Sequence, residues 1–294
     1  SMTAQAVAQH QPSNRSLYPS KPAFEAALNV VRRTPVPQIP DVVMALRREL
    51  TRPEPDLRVA SDLIAQDPVL TGQVLRVINS PAFNLPAQVA SVHQAAGLMG
   101  LTRLTNLVTA EVLHRMLAVN QGAVRVLWES ILETARIVTA IARLTSDISE
   151  DEAYLFGIMH DVGSLIFANV TANYIAEWSF RANSTPSELL IHERATLGTD
   201  HTVVGFLLAN NWKLPEYIAL AILHHHGTRH LEAEDRRIPH LIALAQLAHY
   251  LVALVHGTEE TSEMQDYRDQ AWRMLDIGEL EWEVLCRQAR NGGW

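Results

Sequence analysis

The stretch Gly157-Ile158-Met159-His160-Asp161-Val162-Gly163 decides how this chain is read. It lies late in an apolar segment, Asp151 to Val170, whose spacing predicts a helix. An imidazole followed directly by a carboxylate sets two metal-ligand types side by side, where both can face one divalent cation. The same pair also reads as a buried histidine held by its neighbour. Two ligands alone do not make a site, so the flanking sequence has to decide between these readings.

Downstream, His201 opens a second apolar helix that runs to Asn211, and His224, His225 and His226 end a third that starts at Pro215. Clustered imidazoles suit Zn, Fe, Mn or Ni better than Mg or Ca, which prefer oxygen. The three histidines read equally well as a helix stop before Gly227, their polar rings meeting the last carbonyls. Leu241 to His256 is a further apolar helix, and an amphipathic region covers Glu263 to Arg290. Upstream, Trp128 to Ser146 carries Ile131, Leu132, Ala135, Val138, Thr139 and Ala142 on one face.

Towards the N-terminus the helices shorten, and Pro35, Pro37, Pro40, Pro53 and Pro55 punctuate them. Asp67 precedes Pro68 as a helix cap with proline in the first turn. Asn79 and Ser80 before Pro81 read as a helix end, their side chains bonding local backbone. Trp128 and Trp212 read as packing residues. No stretch alternates with period two for long, so the fold class expected is all-α.

Hydrophobic residues make up 48% of the 294 and charged residues 19%, a globular balance. Net charge is −8, from 24 Lys+Arg against 32 Asp+Glu, which argues against a duplex-DNA partner. The longest apolar runs, such as Tyr250 to Val255, fall short of the roughly 20 residues that cross a bilayer, so no membrane partner is expected. No basic segment leads into an apolar stretch near residue 1, and the single Cys286 suits a reducing compartment. A cytoplasmic location is the expectation.

Taken in order, the motifs resemble one family. Asp67-Pro68-Val69-Leu70 with Val74-Leu75-Arg76-Val77-Ile78-Asn79-Ser80-Pro81-Ala82-Phe83 is similar to the N-terminal signature of HDOD domains, as is the lead-in Pro37-Gln38-Ile39-Pro40. The strings Gly157 to Gly163, Gly198 with His201 and Gly205, Trp212-Lys213-Leu214-Pro215, Ala221-Ile222 and His225-His226 follow in the same order. The resemblance implies a helical fold shared with HD and HD-GYP phosphohydrolases, with an N-terminal lobe over 24–118 packed on an HD-like bundle over 119–256. A tail over 1–23 and C-terminal helices over 257–294 would complete the chain.

By the same resemblance, His160 and Asp161 match the ligand pair of the active enzymes, and His201, His225 and His226 match their added histidines. The pattern is broken at two places: the early histidine falls at Ser130 and the late aspartate at Gln246. No Gly-Tyr-Pro string follows the histidines. Losing an imidazole and a carboxylate leaves a dication under-coordinated and poorly neutralised, unless Glu129, Glu133 or Asp200 stands in. The expectation is therefore a non-catalytic signalling module that binds a protein partner or a small nucleotide in the groove between lobes. It would require no cofactor, the remnant holding at most one divalent transition metal weakly. The competing expectation is a metal-dependent phosphohydrolase of nucleotides or cyclic dinucleotides, with the same five residues as ligands.

Overall fold

The computed structural model describes residues 12–83, 85–118, 122–145, 147–227, 231–258, 260–292 and 294. Among these residues every regular element is a helix, so the all-α expectation holds. After a 3-10 helix over Pro12–Leu17 come α1 (Lys21–Val31), α2 (Asp41–Leu50), α3 (Leu57–Ala65), α4 (Pro68–Ile78), α5 (Val92–Met99) and α6 (Leu101–Leu117). The middle of the chain forms α7 (Ala123–Leu144), α8 (Glu150–Met159), α9 (Val162–Val170), α10 (Tyr174–Arg181), α11 (Pro186–Leu197), α12 (His201–Asn211) and α13 (Glu216–His224). It ends with α14 (Arg237–Val255), α15 (Ser262–Leu275) and α16 (Glu279–Asn291).

One continuous apolar core runs from Leu17 to Ala289 through these helices. Glu150–Val170 and Arg237–Val255 are, by length and composition, apolar enough to cross a membrane. Their most apolar windows are 83% and 89% buried inside the fold, so here that apolarity serves packing on all sides. The first of the two is not one helix. It breaks at His160 and Asp161 into α8 and α9, with Asp161 at φ −115° and ψ 19° as the residue before α9.

Both glycines of the motif permit close approach at this break. A Cβ on Gly157 would lie 2.6 Å from Ala135 Cα of α7, and one on Gly163 would lie 2.1 Å from the His201 carbonyl oxygen. Neither neighbour is a flexible side-chain tip, so α7 and the start of α12 reach the His-Asp pair only because these positions lack side chains. Asp200 aims α12 by accepting from the backbone N–H groups of Thr202 and Val203, at 2.9 and 3.3 Å.

The N-terminal segment departs from the expected tail over 1–23. Residues 1–11 lie outside the described residues, but Leu17 is buried, and Asn14 and Tyr18 both donate to the Glu216 carboxylate. These contacts anchor a segment whose composition alone looked unstructured. Trp212 is fully buried and donates its indole N–H to the Pro37 carbonyl at 2.9 Å, tying two of the family strings together. Ser80 ends α4 locally, its hydroxyl donating to the Val77 carbonyl at 2.7 Å. Asn79 instead clamps a residue ten positions on, donating to Val89 O at 2.8 Å and accepting from Val89 N at 2.7 Å.

Asp67 caps α4 as expected, its Oδ1 accepting from the Leu70 N–H at 3.0 Å while Oδ2 pairs with Arg115 at 2.9 Å. The Leu70 N–H and then Arg115 hold its carboxyl below the usual range. A depressed folded-state value gives stability that is present at neutral pH and lost as pH falls through it. Asp67→Ala is expected to cost about 1 kcal/mol at neutral pH, and less under acid. Urea unfolding of both proteins at pH 7 and pH 3 checks this; equal midpoints at pH 7 would refute the cap.

Candidate metal centre

Asp161 lies at the centre of a buried ring of imidazoles. Its Oδ2 is 3.2 Å from His160 Nε2, and its Oδ1 is 3.2 Å from His225 Nε2 and 3.3 Å from His201 Nε2. His226 Nε2 stands 3.1 Å from His201 Nε2. The His249 ring completes the cluster, with centroids 5.4 Å from His160 and 5.5 Å from His226. The structure thus gathers all five residues singled out in the sequence, from α8, α9, α12 and the end of α13, and adds a sixth from α14.

The outer nitrogens decide how these rings face. His160 Nδ1 is 2.5 Å from the Gly157 carbonyl and His225 Nδ1 is 2.6 Å from the Ile222 carbonyl. His201 Nδ1 is 2.7 Å from Glu193 Oε1. Carbonyls and carboxylates only accept, so each Nδ1 donates, and in the neutral ring the Nε2 lone pair turns inward. His226 Nδ1 meets the Tyr267 hydroxyl of α15 at 2.8 Å. Lone pairs aimed at a carboxylate, and a pair of Nε2 atoms aimed at each other, need a proton or a cation between them.

One proton is accounted for. Burial opposes charge on His201, but Glu193 and Asp161 outweigh it and hold this imidazolium well above the usual histidine range. Burial likewise opposes the Asp161 anion, yet His160, His201 and His225 keep its carboxyl well below the usual range. Burial and the neighbouring imidazoles push His226 well down, and burial pushes His249 down to about 3, so both stay neutral. His249 Nε2 is buried without a hydrogen-bond partner. The donor atoms of Asp161, His225, His226 and His249 lie within 4.8 Å of one another, which is the donor set of a nitrogen-rich transition-metal site.

Several expectations are corrected. On α14 the residue that delivers a ring to the cluster is His249, one turn beyond Gln246. Gln246 is buried, and its amide donates to the carbonyls of His225 and Gly227 at 3.2 and 2.8 Å, holding the histidine turn from behind. Ser130 lines a groove with Glu129, Glu133, Val252 and His256 that includes none of the cluster's residues. The three candidate substitutes are engaged elsewhere: Glu129 with Arg125, Glu133 with His256, and Asp200 as a cap paired to Arg194. His224 turns away, its Nε2 donating to the Leu17 carbonyl at 2.7 Å.

No motif marks α10 and α11 in the sequence, yet they carry Tyr174 and Glu193 to the site. Tyr174 donates to Glu193 Oε2 at 2.5 Å, fixing the carboxylate that orients His201. His249 was missed as well. The available signal was an imidazole isolated inside the apolar run Leu247 to Val252, where a satisfied core histidine is the ordinary reading.

A family model described as HDOD domain matches residues 36–228. An HDOD domain protein from Geobacter sulfurreducens has the same fold, with a TM-score of 0.68 at 22% identity over 92% of this chain and 94% of that one. A protein from Shewanella amazonensis SB2B, whose name proposes a phosphohydrolase, gives 0.66 at 23% identity over 91% and 95%. An uncharacterized protein of Treponema pallidum (strain Nichols) is 25% identical over 218 residues, 72% of this chain. The chain spans 42% of the length of that relative.

A metal bound by Asp161 and His226 would take the two atoms that His201 Nε2 faces, and is expected to displace the His201 proton. Zn titrated into chelator-treated protein should release about one proton near neutral pH and bind more tightly as pH rises. His249→Ala should weaken Zn by more than the roughly 10–100-fold typical of losing an outer hydrogen bond, while His224→Ala leaves it unchanged. Calorimetry in two buffers of different ionisation enthalpy measures both, and no proton release with an unaffected His249→Ala would refute the donor set.

Proposed function

The chain belongs to the HDOD family, and on that premise we propose that it is a non-catalytic signalling module. In this reading Asp161, His160, His201, His225, His226 and His249 form a structural rather than a hydrolytic centre. What supports it is the burial of every donor: Asp161 is 8% exposed, His226 9%, and the other four 6% or less. Structural metal sites are closed, whereas hydrolytic ones keep a position open to water and substrate. Here α15 lies over the cluster and Tyr267, itself buried, occupies the outer nitrogen of His226.

Charge supports the same reading. Phosphoryl transfer needs positive groups around the developing phosphate charge. Among the described residues no Lys or Arg hydrogen-bonds or ion-pairs with the six cluster residues, and Glu193 adds a further negative charge behind His201. Asp161, His225, His226 and His249 would hold a transition metal, which would supply cross-linking of three helical segments. The module would then act through association with a signalling protein.

The competing reading, a metal-dependent phosphohydrolase, is favoured by one observation, the four donors within 4.8 Å. Turnover separates the two. With Mn, Fe or Zn supplied, the protein is expected to show no sustained hydrolysis across nucleoside monophosphates, guanosine polyphosphates and cyclic dinucleotides. Sustained hydrolysis abolished by His160→Ala would overturn the non-catalytic reading.

A further inference from the structure

A cavity of about 320 Å³ lies away from the histidine cluster, between α4, the turn over 80–83, α6, α7 and α8. None of Asp161, His160, His201, His225, His226 or His249 lines it. Its walls combine three kinds of chemistry. Arg76 and Arg136 stand at it as exposed guanidinium groups, and neither pairs with a carboxylate among the described residues. Glu111 reaches it from α6 as a carboxylate only 3% exposed. Phe83 and Trp294 supply flat apolar faces.

The buried polar atoms are only partly satisfied. Tyr154 donates to Glu111 Oε1 at 2.7 Å, and burial and then the Glu111 charge raise the Tyr154 phenol so that it stays a donor. Glu111 Oε2 keeps only a 3.6 Å approach from His114 Nδ1, beyond hydrogen-bonding distance. Gln73 Oε1 and His114 Nδ1 are buried there without any hydrogen-bond partner. Gln73 Oε1 and Glu111 Oε2 call for a ligand carrying N–H donors, the unpartnered His114 and Trp294 nitrogens can donate to an acceptor on it, and arginines without a carboxylate partner among the described residues call for an anion on it.

We infer that this cavity is a binding site for a guanine mononucleotide, with Arg76 and Arg136 holding the phosphate and Glu111 accepting from the base. A guanine edge presents adjacent ring and exocyclic N–H donors that one carboxylate can accept together; adenine presents an acceptor beside its amino group and leaves the carboxylate opposed. Phe83 and Trp294 provide the faces on which such a ring stacks. The size suits one nucleotide, since about 320 Å³ is at the small end for ligand sites. The inference stands apart from the reading of the histidine cluster, because the two sites share no residue.

Calorimetric titration of the full chain with GMP, AMP and inorganic phosphate tests it, in wild type, Arg136→Gln, Glu111→Gln and the surface control Arg58→Gln. GMP is expected to bind wild type about tenfold or more tightly than AMP or phosphate, and Arg136→Gln to lose about tenfold or more for GMP. Glu111→Gln should bring GMP down to the AMP level, and Arg58→Gln, an exposed position outside both sites, should bind GMP as wild type does. Arg136 is exposed, so that variant keeps the test decisive even where Glu111→Gln does not fold. No GMP binding, equal binding of GMP and AMP, binding of phosphate alone, or an unaffected Arg136→Gln would each overturn the assignment.

Discussion

A carboxylate removed from water must be neutralised where it sits, and Asp161 is such a carboxylate at the meeting point of five imidazoles. Leaving a buried charge unpaired costs several kcal/mol. The chain meets this demand from four separate helical segments, and the outer nitrogens of His160, His201, His225 and His226 each have a partner of their own. Gly157 and Gly163 let the backbones come close enough, Asp200 aims α12, and Gln246 holds the His225 turn from behind. The protonated His201, backed by Glu193 and Tyr174, supplies the countercharge.

This arrangement joins two properties that pull in different directions. The donor set is rich enough for a transition metal, and richer than the motif pattern suggested, because His249 supplies a ligand where Gln246 does not. The same donors are covered by α15, and among the described residues no Lys or Arg pairs with them. A metal held here is therefore suited to bracing helices, and the chemistry suited to a nucleotide lies elsewhere, in the cavity beside Arg76, Arg136 and Glu111.

The helical class and the family were legible because they rest on local signals: apolar periodicity, the Asp67-Pro68 cap and strings of fixed order. His160, Asp161, His201, His225 and His226 were legible for the same reason, each being embedded in such a string. What escaped was set by tertiary packing. His249 sits in an apolar run with no motif around it, and Glu193 and Tyr174 lie on helices that carry no family string. Gln246 lies one turn before His249 on the same helix and faces the His225 turn, so which of the two positions offers a ligand is set by packing that spacing alone does not resolve. The segment around Asn14 and Tyr18 looked like a tail because its anchor, Glu216, is some two hundred residues away.

The central claim is that the cluster braces the fold and does not turn over substrate. An ion that binds only the folded state raises its unfolding midpoint by mass action. The most direct measurement is the thermal midpoint of chelator-treated protein before and after stoichiometric Zn, with hydrolysis followed in the same samples. A midpoint that rises with Zn while hydrolysis stays absent is the result expected; an unchanged midpoint with hydrolysis appearing on metal addition would contradict the account.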